Sequence, residues 1–512
     1  MFRQLLVLVA LAPVFCFAQT EWSVTLPVFH ENAQMVDAQT LANGDVIAVS
    51  ISYHENDTFL LNRAGSWITH FSPNGEGMGT EHVQDGARCI KATCLSKGTS
   101  GHPYQLLALT WDSLTLLNRS IGQFQVNALG EIGTSNHHLV QDGTRDFIFF
   151  DAALDHDSAL FIAGGVNINN IFYAPNRLLL MRLGTDGTEL GQRILDTAST
   201  LTCGLHSVLL DSLMLTSMIA GSIGPWGITK YLRFNENLDY IDGFPGTSVT
   251  GNGNLLPPDS ILRDSQYMSV LPSGSIIVSG RIGSTAQNQG LSFVATRLSP
   301  TGLQESVFMP EQETLFDFCS LLGSHDVEPD GSVVTAVVHN FNPYNYSMST
   351  IPSRIQIYKL DTMLNVLCDQ VAVDGAEDGS YYMLNRVKAT PDGGTLLMGS
   401  RMNVNTQSLP QPWIMKIAPW DCQSSIGEQD VTNTASVWPN PGSTGFTAYV
   451  NGPLLNQGML TLYNAQGQDV GQTEVVQSAA NMDATGLAPG MYLYRITDGQ
   501  GALRATGRWV KE

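Results

Sequence analysis

Few residues in this chain are spaced for chemistry by a short motif. His30-Glu31-Asn32-Ala33 begins like a zinc-protease signature, but Gln34 stands where the second histidine is needed. No Gly-x-Ser-x-Gly elbow and no P-loop occurs. Gly75-Glu76-Gly77-Met78-Gly79 is glycine-rich, but no helical pattern follows whose N-terminus could hold a phosphate. Asp155-His156-Asp157 sets two carboxylates around an imidazole, a combination that can hold a cation. The same residues suit a hairpin turn, where aspartate bonds its own backbone, and that is the simpler reading. Asp374-Gly375-Ala376-Glu377-Asp378-Gly379 offers oxygen ligands to Ca²⁺ without EF-hand spacing, so a solvated loop is the simpler reading. His137-His138 has no companion carboxylate or cysteine motif and reads as surface. No metal and no catalytic residue is assigned, and no cofactor is expected.

Recognition chemistry is better represented than catalysis. Asn169–Tyr173, Gly224–Trp226 and Asn340–Tyr346 mix aromatic rings with amides. Rings stack on the apolar faces of sugars or peptides, and amides bond hydroxyls or backbone. Phe172, Tyr173, Trp226, Tyr344, Asn345 and Tyr346 are therefore the candidate ligand-binding residues, with a surface glycan or protein as ligand. The competing reading is that these side chains pack on one another within long loops.

Such loops need a scaffold, and the chain repeats one. Leu271–Gly280 (LPSGSIIVSG) reads as a hairpin, and the beat returns at Leu41–Ser50, Val327–Val337 and Ala389–Ser400. Seven turns anchor the repeats: Asn43-Gly44, Lys97-Gly98, Asp155–Asp157, Asp211-Ser212, Ser273-Gly274, Asp330-Gly331 and Asp392-Gly393. They lie roughly 54 to 63 residues apart, near the period of propeller blades. A second apolar strand follows each anchor and often ends in Arg or Lys plus Leu, as in Leu178–Gly187 and Phe293–Gly302. Each unit thus holds about four strands. The seventh stops one strand short near Cys422, and Trp22–Phe29 could supply the missing edge and close the ring. The expected fold is all-β: a seven-bladed β-propeller over residues 19–422, a linker at 423–436 and a small Ig-like β-sandwich at 437–512. An open solenoid or paired sandwiches are the rival architectures. The short turns share one face of such a ring, and the long varied loops, with the candidate binding residues, share the other.

The chain has 512 residues and a net charge of −21, which opposes binding to nucleic acid or anionic membranes. Residues 1–18 read as a signal peptide: Arg3, the apolar run Leu5–Val14, and Ala18 at the cleavage point. Phe15 precedes Cys16 and argues against a lipoprotein. No later apolar run is long enough to span a bilayer as a helix. Cys89, Cys94, Cys203, Cys319, Cys368 and Cys422 remain, and their pairing is open. A local Cys89–Cys94 bridge and buried free thiols are both compatible with the spacing.

The last 75 or so residues carry Pro439-Asn440-Pro441, the strand-turn-strand Leu460–Val470 with Tyr463 and Gly467, Leu487–Tyr492 with Gly490 and Tyr492, and a closing Gly507–Lys511. In combination these resemble the type A C-terminal sorting domain of type IX secretion cargo from Bacteroidota. The resemblance implies Sec export to the periplasm, recognition of the tail by an outer-membrane translocon and a sortase-like protease, and delivery to the cell surface or medium. It implies that Pro439, Asn440, Pro441, Gly467, Gly490, Tyr492 and Lys511 belong to the sorting signal. The expected function is a secreted, non-catalytic binding, adhesion or scaffold module. The alternative is an extracellular polymer-degrading hydrolase or lyase on the same scaffold. Carboxylates or histidines converging over the central channel would favour the enzyme; a shallow aromatic-lined face would favour binding.

Overall fold

A computed structural model describes residues 21–27, 32–53, 64–99, 102–113, 119–140, 144–168, 176–196, 201–221, 228–243, 260–284, 291–314, 316–317, 323–341, 351–406, 408–420, 422, 435–450, 457–464, 467–499 and 503–512. The signal-peptide segment, Cys319, the linker through residue 434, and Phe172, Tyr173, Trp226, Tyr344, Asn345 and Tyr346 lie outside these residues. The chain divides into two compact units, Met1–Trp420 and Asp421–Glu512. All elements among the described residues are strands.

The first unit contains seven antiparallel four-stranded sheets among the described residues. Six are meanders of consecutive strands, and one of these, which starts at Ser260–Val270, adds the short parallel strand Phe316–Asp317. Their first strands are Asn32–Thr40, Arg88–Thr99, Thr144–Leu154, Leu201–Leu210, Ser260–Val270 and His325–Val327. The seventh sheet starts at Ser380–Ala389, and its outer strand is Trp22–Thr25, paired to Gln411–Ile417 with Ser23 opposite Met415. Each first strand touches the next, and Ser380–Ala389 touches Asn32–Thr40, so the contacts run in a closed circle. Four-stranded sheets repeated around an axis in this way make a β-propeller.

Local sequence explains each sheet. Second strands are continuous apolar runs because neighbouring sheets cover both faces: Val333–His339 is buried throughout. Fourth strands are polar and exposed, as in Gly77–His82. The first turn closes through Leu271 N to Ser275 O at 2.8 Å, with Gly274 at φ 80°, a conformation that favours glycine. The basic residue near the end of the third strand reaches back to that turn. Arg182 bonds Asp155 and Asp157, Lys416 Nζ lies 2.6 Å from Asp392, and His70 Nε2 lies 2.9 Å from Asp45. Lys359 pairs with Glu328 in the same way. The Arg/Lys-Leu beat in the sequence is thus one half of a turn clasp.

Two expectations need correction. Lys97-Gly98 is not a turn. The ladder continues to Thr99 opposite His102, so the chain reverses beyond this pair. Cys89 and Cys94 form no bridge with each other, and both are buried. Cys89 packs with Ala64 and Trp111, whereas Cys94 joins Leu107 and Ile121, so the two side chains serve different clusters. Cys368 and Cys422 are each engaged in a disulfide.

The second unit has two antiparallel sheets. One contains Ala435–Trp438, Gly445–Val450 and Ala479–Asp483. The other runs Asp469–Val475, Gly458–Tyr463, Gly490–Asp498, Leu503–Lys511. Their inward residues, including Phe446, Leu460, Tyr494 and Trp509, form one core.

Candidate functional site

The functional geometry of the ring lies on its axis. Asp37, Asp151, Tyr267 and Arg386 each stand four residues before the first residue of their turn, at Leu41, Asp155, Leu271 and Thr390. The register of the first strand shifts beside each, between Met35 and Asp37, Phe149 and Ala152, Arg263 and Tyr267, and Leu384 and Arg386. Shifts also adjoin Cys94 and His206. A bulge re-aims the side chain next to it, and here the re-aimed residues meet. With His325 they make seven, one from every sheet.

Arg386 is the centre of the group. Its Nη1 lies 3.2 Å from Asp37 Oδ2 and 3.3 Å from Asp151 Oδ2, spanning two different sheets. Asp37 also accepts from Lys388 Nζ at 2.6 Å, Ala38 N at 2.8 Å and Leu95 N at 2.7 Å. His206 lies 3.5 Å from Asp151 and stacks against Tyr267 at 4.3 Å between centroids. Tyr267 meets His325 edge-on at 5.0 Å, and His325 Nδ1 bonds Ser279 Oγ at 2.6 Å. Gly323 leaves room for the arginine stem: a Cβ there would stand 2.9 Å from Arg386 Cγ. Arg386 is 1% exposed and Asp37 0%.

The electrostatics follow from that burial. Desolvation works against the Arg386 charge, but Asp37 and Asp151 outweigh it and hold the guanidinium charged. Burial pushes Asp151 up, yet Arg386, then His206 and Lys388, bring it below the ordinary carboxylate range. Burial, with Asp151 and Asp37 nearby, drives the Cys94 thiol well up, and burial drives the Tyr267 phenol well up. Burial pushes His206 down and His325 down to about 3. At neutral pH the group thus holds charged Asp151 and Arg386 beside neutral imidazoles, a thiol and a phenol. A protonated buried thiol is a poor nucleophile, and both imidazoles are neutral, His325 fully buried and His206 largely so. The arrangement is a clasp tying the seven sheets at one level. Sequence reading passed over these residues, although a polar residue four places before a turn was the available signal.

Other candidates resolve as structure. Asp155, His156 and Asp157 place ligand atoms within 4.8 Å of one another. Both carboxylates, however, accept from Arg182, and Asp155 Oδ1 caps the turn through Asp157 N at 3.0 Å and Ala159 N at 2.9 Å. The guanidinium occupies the place a cation would take. His137 and His138 are not surface residues. His138 is buried with Nε2 3.2 Å from Gln123 Oε1, and His137 pairs with Asp85. In the acidic loop, Asp374 is exposed and caps Ala376 N at 2.9 Å, while Asp378 binds Arg401 at 2.6 Å.

The sorting-signal residues gather around the last strand of the tail. Asn440 clips its edge, with Nδ2 to Arg508 O at 3.1 Å and Val510 N to Oδ1 at 3.0 Å. Pro439 O accepts from Trp509 Nε1 at 2.9 Å, and after Pro441 the chain bonds again through Gly442 N to Val510 O at 2.9 Å. Lys511 is buried, and its Nζ donates to Ala484 O and, at 3.2 Å, to Thr485 O. Tyr492 bonds Ala488 O at 2.7 Å and packs on Trp509. Gly467 makes a turn at φ 75°, and Gly490 opens the strand that pairs with Leu503–Lys511.

Residues 436–512 match the family model of the secretion system C-terminal sorting domain. No curated protein is similar in sequence. Among solved structures, the β-propeller domain of the Trilobed protease from Pyrococcus furiosus shares 11% identity at a TM-score of 0.41, covering 78% of this chain and 100% of its own. The periplasmic gluconolactonase PpgL of Pseudomonas aeruginosa shares 9% at 0.40, covering 76% and 96%. A catalytically inactive virginiamycin B lyase from Staphylococcus aureus shares 8% at 0.39, covering 78% and 100%.

Proposed function

We propose that the propeller is a rigid, non-catalytic scaffold that binds a glycan or protein at or beyond the cell surface. Residues 436–512 form a type IX sorting domain, which implies dealings with that secretion machinery and export to the cell surface or outside. The reading of the ring rests on one observation. Two carboxylates and two histidines converge on the axis from four of the seven sheets, Asp37 and His325 buried and Asp151 and His206 largely so, with Arg386 bridging the two carboxylates. Recognition then falls to the loops between second and third strands and between sheets, where Phe172, Tyr173, Trp226, Tyr344, Asn345 and Tyr346 mix rings with amides. We expect seven blades around the axis, the N-terminal strand completing the seventh, and passage through the periplasm before the tail is read.

The test is a glycan and protein array probed with residues 21–422. Binding that Tyr344→Ala and Trp226→Ala weaken at least tenfold supports the reading. Binding that both variants leave unchanged puts the ligand on another face. Turnover of a polysaccharide by the wild-type ring, lost in an axial variant that still folds, would overturn it in favour of an enzyme.

A further inference from the structure

One face of the tail has the makeup of a docking surface. On the sheet that ends in Leu503–Lys511, alternate residues point away from the core. Met491 stands opposite Val510, Leu493 opposite Arg508 and also opposite Tyr463, and Arg495 opposite Thr461 and Thr506. The apolar members form one patch across three strands, with Met491 53%, Leu493 46% and Val510 36% exposed. Methionine, tyrosine and arginine are the types enriched where proteins bury surface on one another.

The charges on this face are distinctive. Every basic residue of the tail, Arg495, Arg504, Arg508 and Lys511, lies on its last two strands. Arg504 is paired with Asp498, and Lys511 is buried on backbone carbonyls. Arg495 and Arg508 are exposed and have no carboxylate partner among the described residues. The chain as a whole carries −21. An acidic partner is repelled by the net charge of the chain, and Arg495 and Arg508 attract it locally at this face.

We infer that the sheet face built from Tyr463, Met491, Leu493, Val510, Arg495 and Arg508 docks on an acidic, apolar-studded protein surface of the secretion machinery. The inference rests on the tail being the sorting signal and adds which face is read and by what chemistry. The Pro-Asn-Pro clip and Lys511 hold the last strand in its sheet; the exposed face is what the partner touches.

The experiment follows full-length protein in a type IX-competent cell, by fractionation and by protease digestion of intact cells. Arg495→Glu/Arg508→Glu and Met491→Ser/Leu493→Ser should each cut surface delivery about tenfold, the scale of a lost interface hot spot. Melting of the purified variants should stay within 2 °C of wild type, roughly the shift that marks a folding defect. Arg495→Lys/Arg508→Lys should deliver normally, because the charge is kept. Tyr449→Ser, on the other sheet, should also deliver normally. Normal delivery of the folded Glu pair overturns the inference. So does a purified chain that dimerises through this face and is made monomeric by Leu493→Ser. Deleting 437–512 separates the two claims: if the deletion traps the protein while the face variants travel normally, the face is wrong and the sorting role stands. If the deletion itself travels normally, the sorting reading fails first.

Discussion

Replacing Arg386 with methionine tests the axial clasp. Methionine keeps most of the volume and removes the charge that spans Asp37 and Asp151. Breaking a buried ion pair from one side costs about 3–5 kcal/mol, because a buried charge is left without its partner. Two features favour the lower figure. Asp37 keeps Lys388 and two backbone donors, so Asp151 bears most of the loss. Arg386 Nε and Nη2 also have no hydrogen-bond partner among the described residues, and those stranded donors disappear with the guanidinium. With an unfolding entropy of about 2.1 cal/mol/K per residue over roughly 400 residues, ~3 kcal/mol is about 4 °C in Tm. The pH dependence carries a sign. In the wild type, Asp151 is depressed, so its contribution is present above the unfolded carboxylate value and is lost as pH falls through the folded one. Without Arg386, burial dominates and raises Asp151, so the native variant takes up a proton more readily than the unfolded chain. The Tm gap between variant and wild type should therefore narrow as pH falls from 7 to 5. Calorimetry of residues 21–422 at both pH values reads it. A gap under 1 °C at pH 7, or one that widens in acid, refutes the clasp.

Three more outcomes follow from the geometry. His325 is held at about 3, below its unfolded value, so wild-type stability should fall as pH drops from 6.5 toward 3 by up to about 1.4 kcal/mol per pH unit; His325→Asn should flatten that slope in urea titrations. Trp22 packs on Phe71 at 5.6 Å and donates to Pro73 O at 3.0 Å, so Trp22→Ala should cost about 3–5 kcal/mol and lower the urea midpoint; an unchanged midpoint would mean that the closing strand contributes little. Asn440→Ala removes both side-chain bonds to the last strand, and hydrogen exchange at Val510 should accelerate by about tenfold, the equivalent of ~1.4 kcal/mol.

Much of the scaffold could be read from local chemistry. Ser273-Gly274 and Asp330-Gly331 mark turns because glycine relieves a positive φ. Ile276–Val278 marks a strand covered on both faces. The missing strand of the seventh unit pointed to Trp22. Where the reading failed, the deciding interaction was remote. Gly98 resembles a turn glycine, but pairing of Lys97 with Tyr104 extends the ladder past it. His137-His138 looks exposed until Asp85, from the connection between two sheets, and Gln123, from the neighbouring strand, are brought to it. The axial group was invisible for the same reason: Asp37, Asp151 and Arg386 are ordinary polar residues in separate repeats, and only a bulge in each strand turns them to a common point. The sorting domain was legible because its motif is short-range and sits within one segment.

The pairing of Trp22–Thr25 with Gln411–Ile417 has a consequence for how the molecule comes into being. Trp413 Nε1 bonds Ser23 Oγ at 2.9 Å across 390 positions of chain. Closing a loop of that length costs roughly 5 kcal/mol of chain entropy before any contact offsets it. Ribosomes and export channels release a chain in sequence, so the strand made first has no seat until the strand at 411–417 exists. During that interval Trp22–Thr25 has no partner strand, and the seam beside Asn32–Thr40 is open. Both are adhesive to other chains. Cellular yield of this protein should thus be governed by how long a nascent chain is kept from its neighbours, more than by how stable the finished ring becomes.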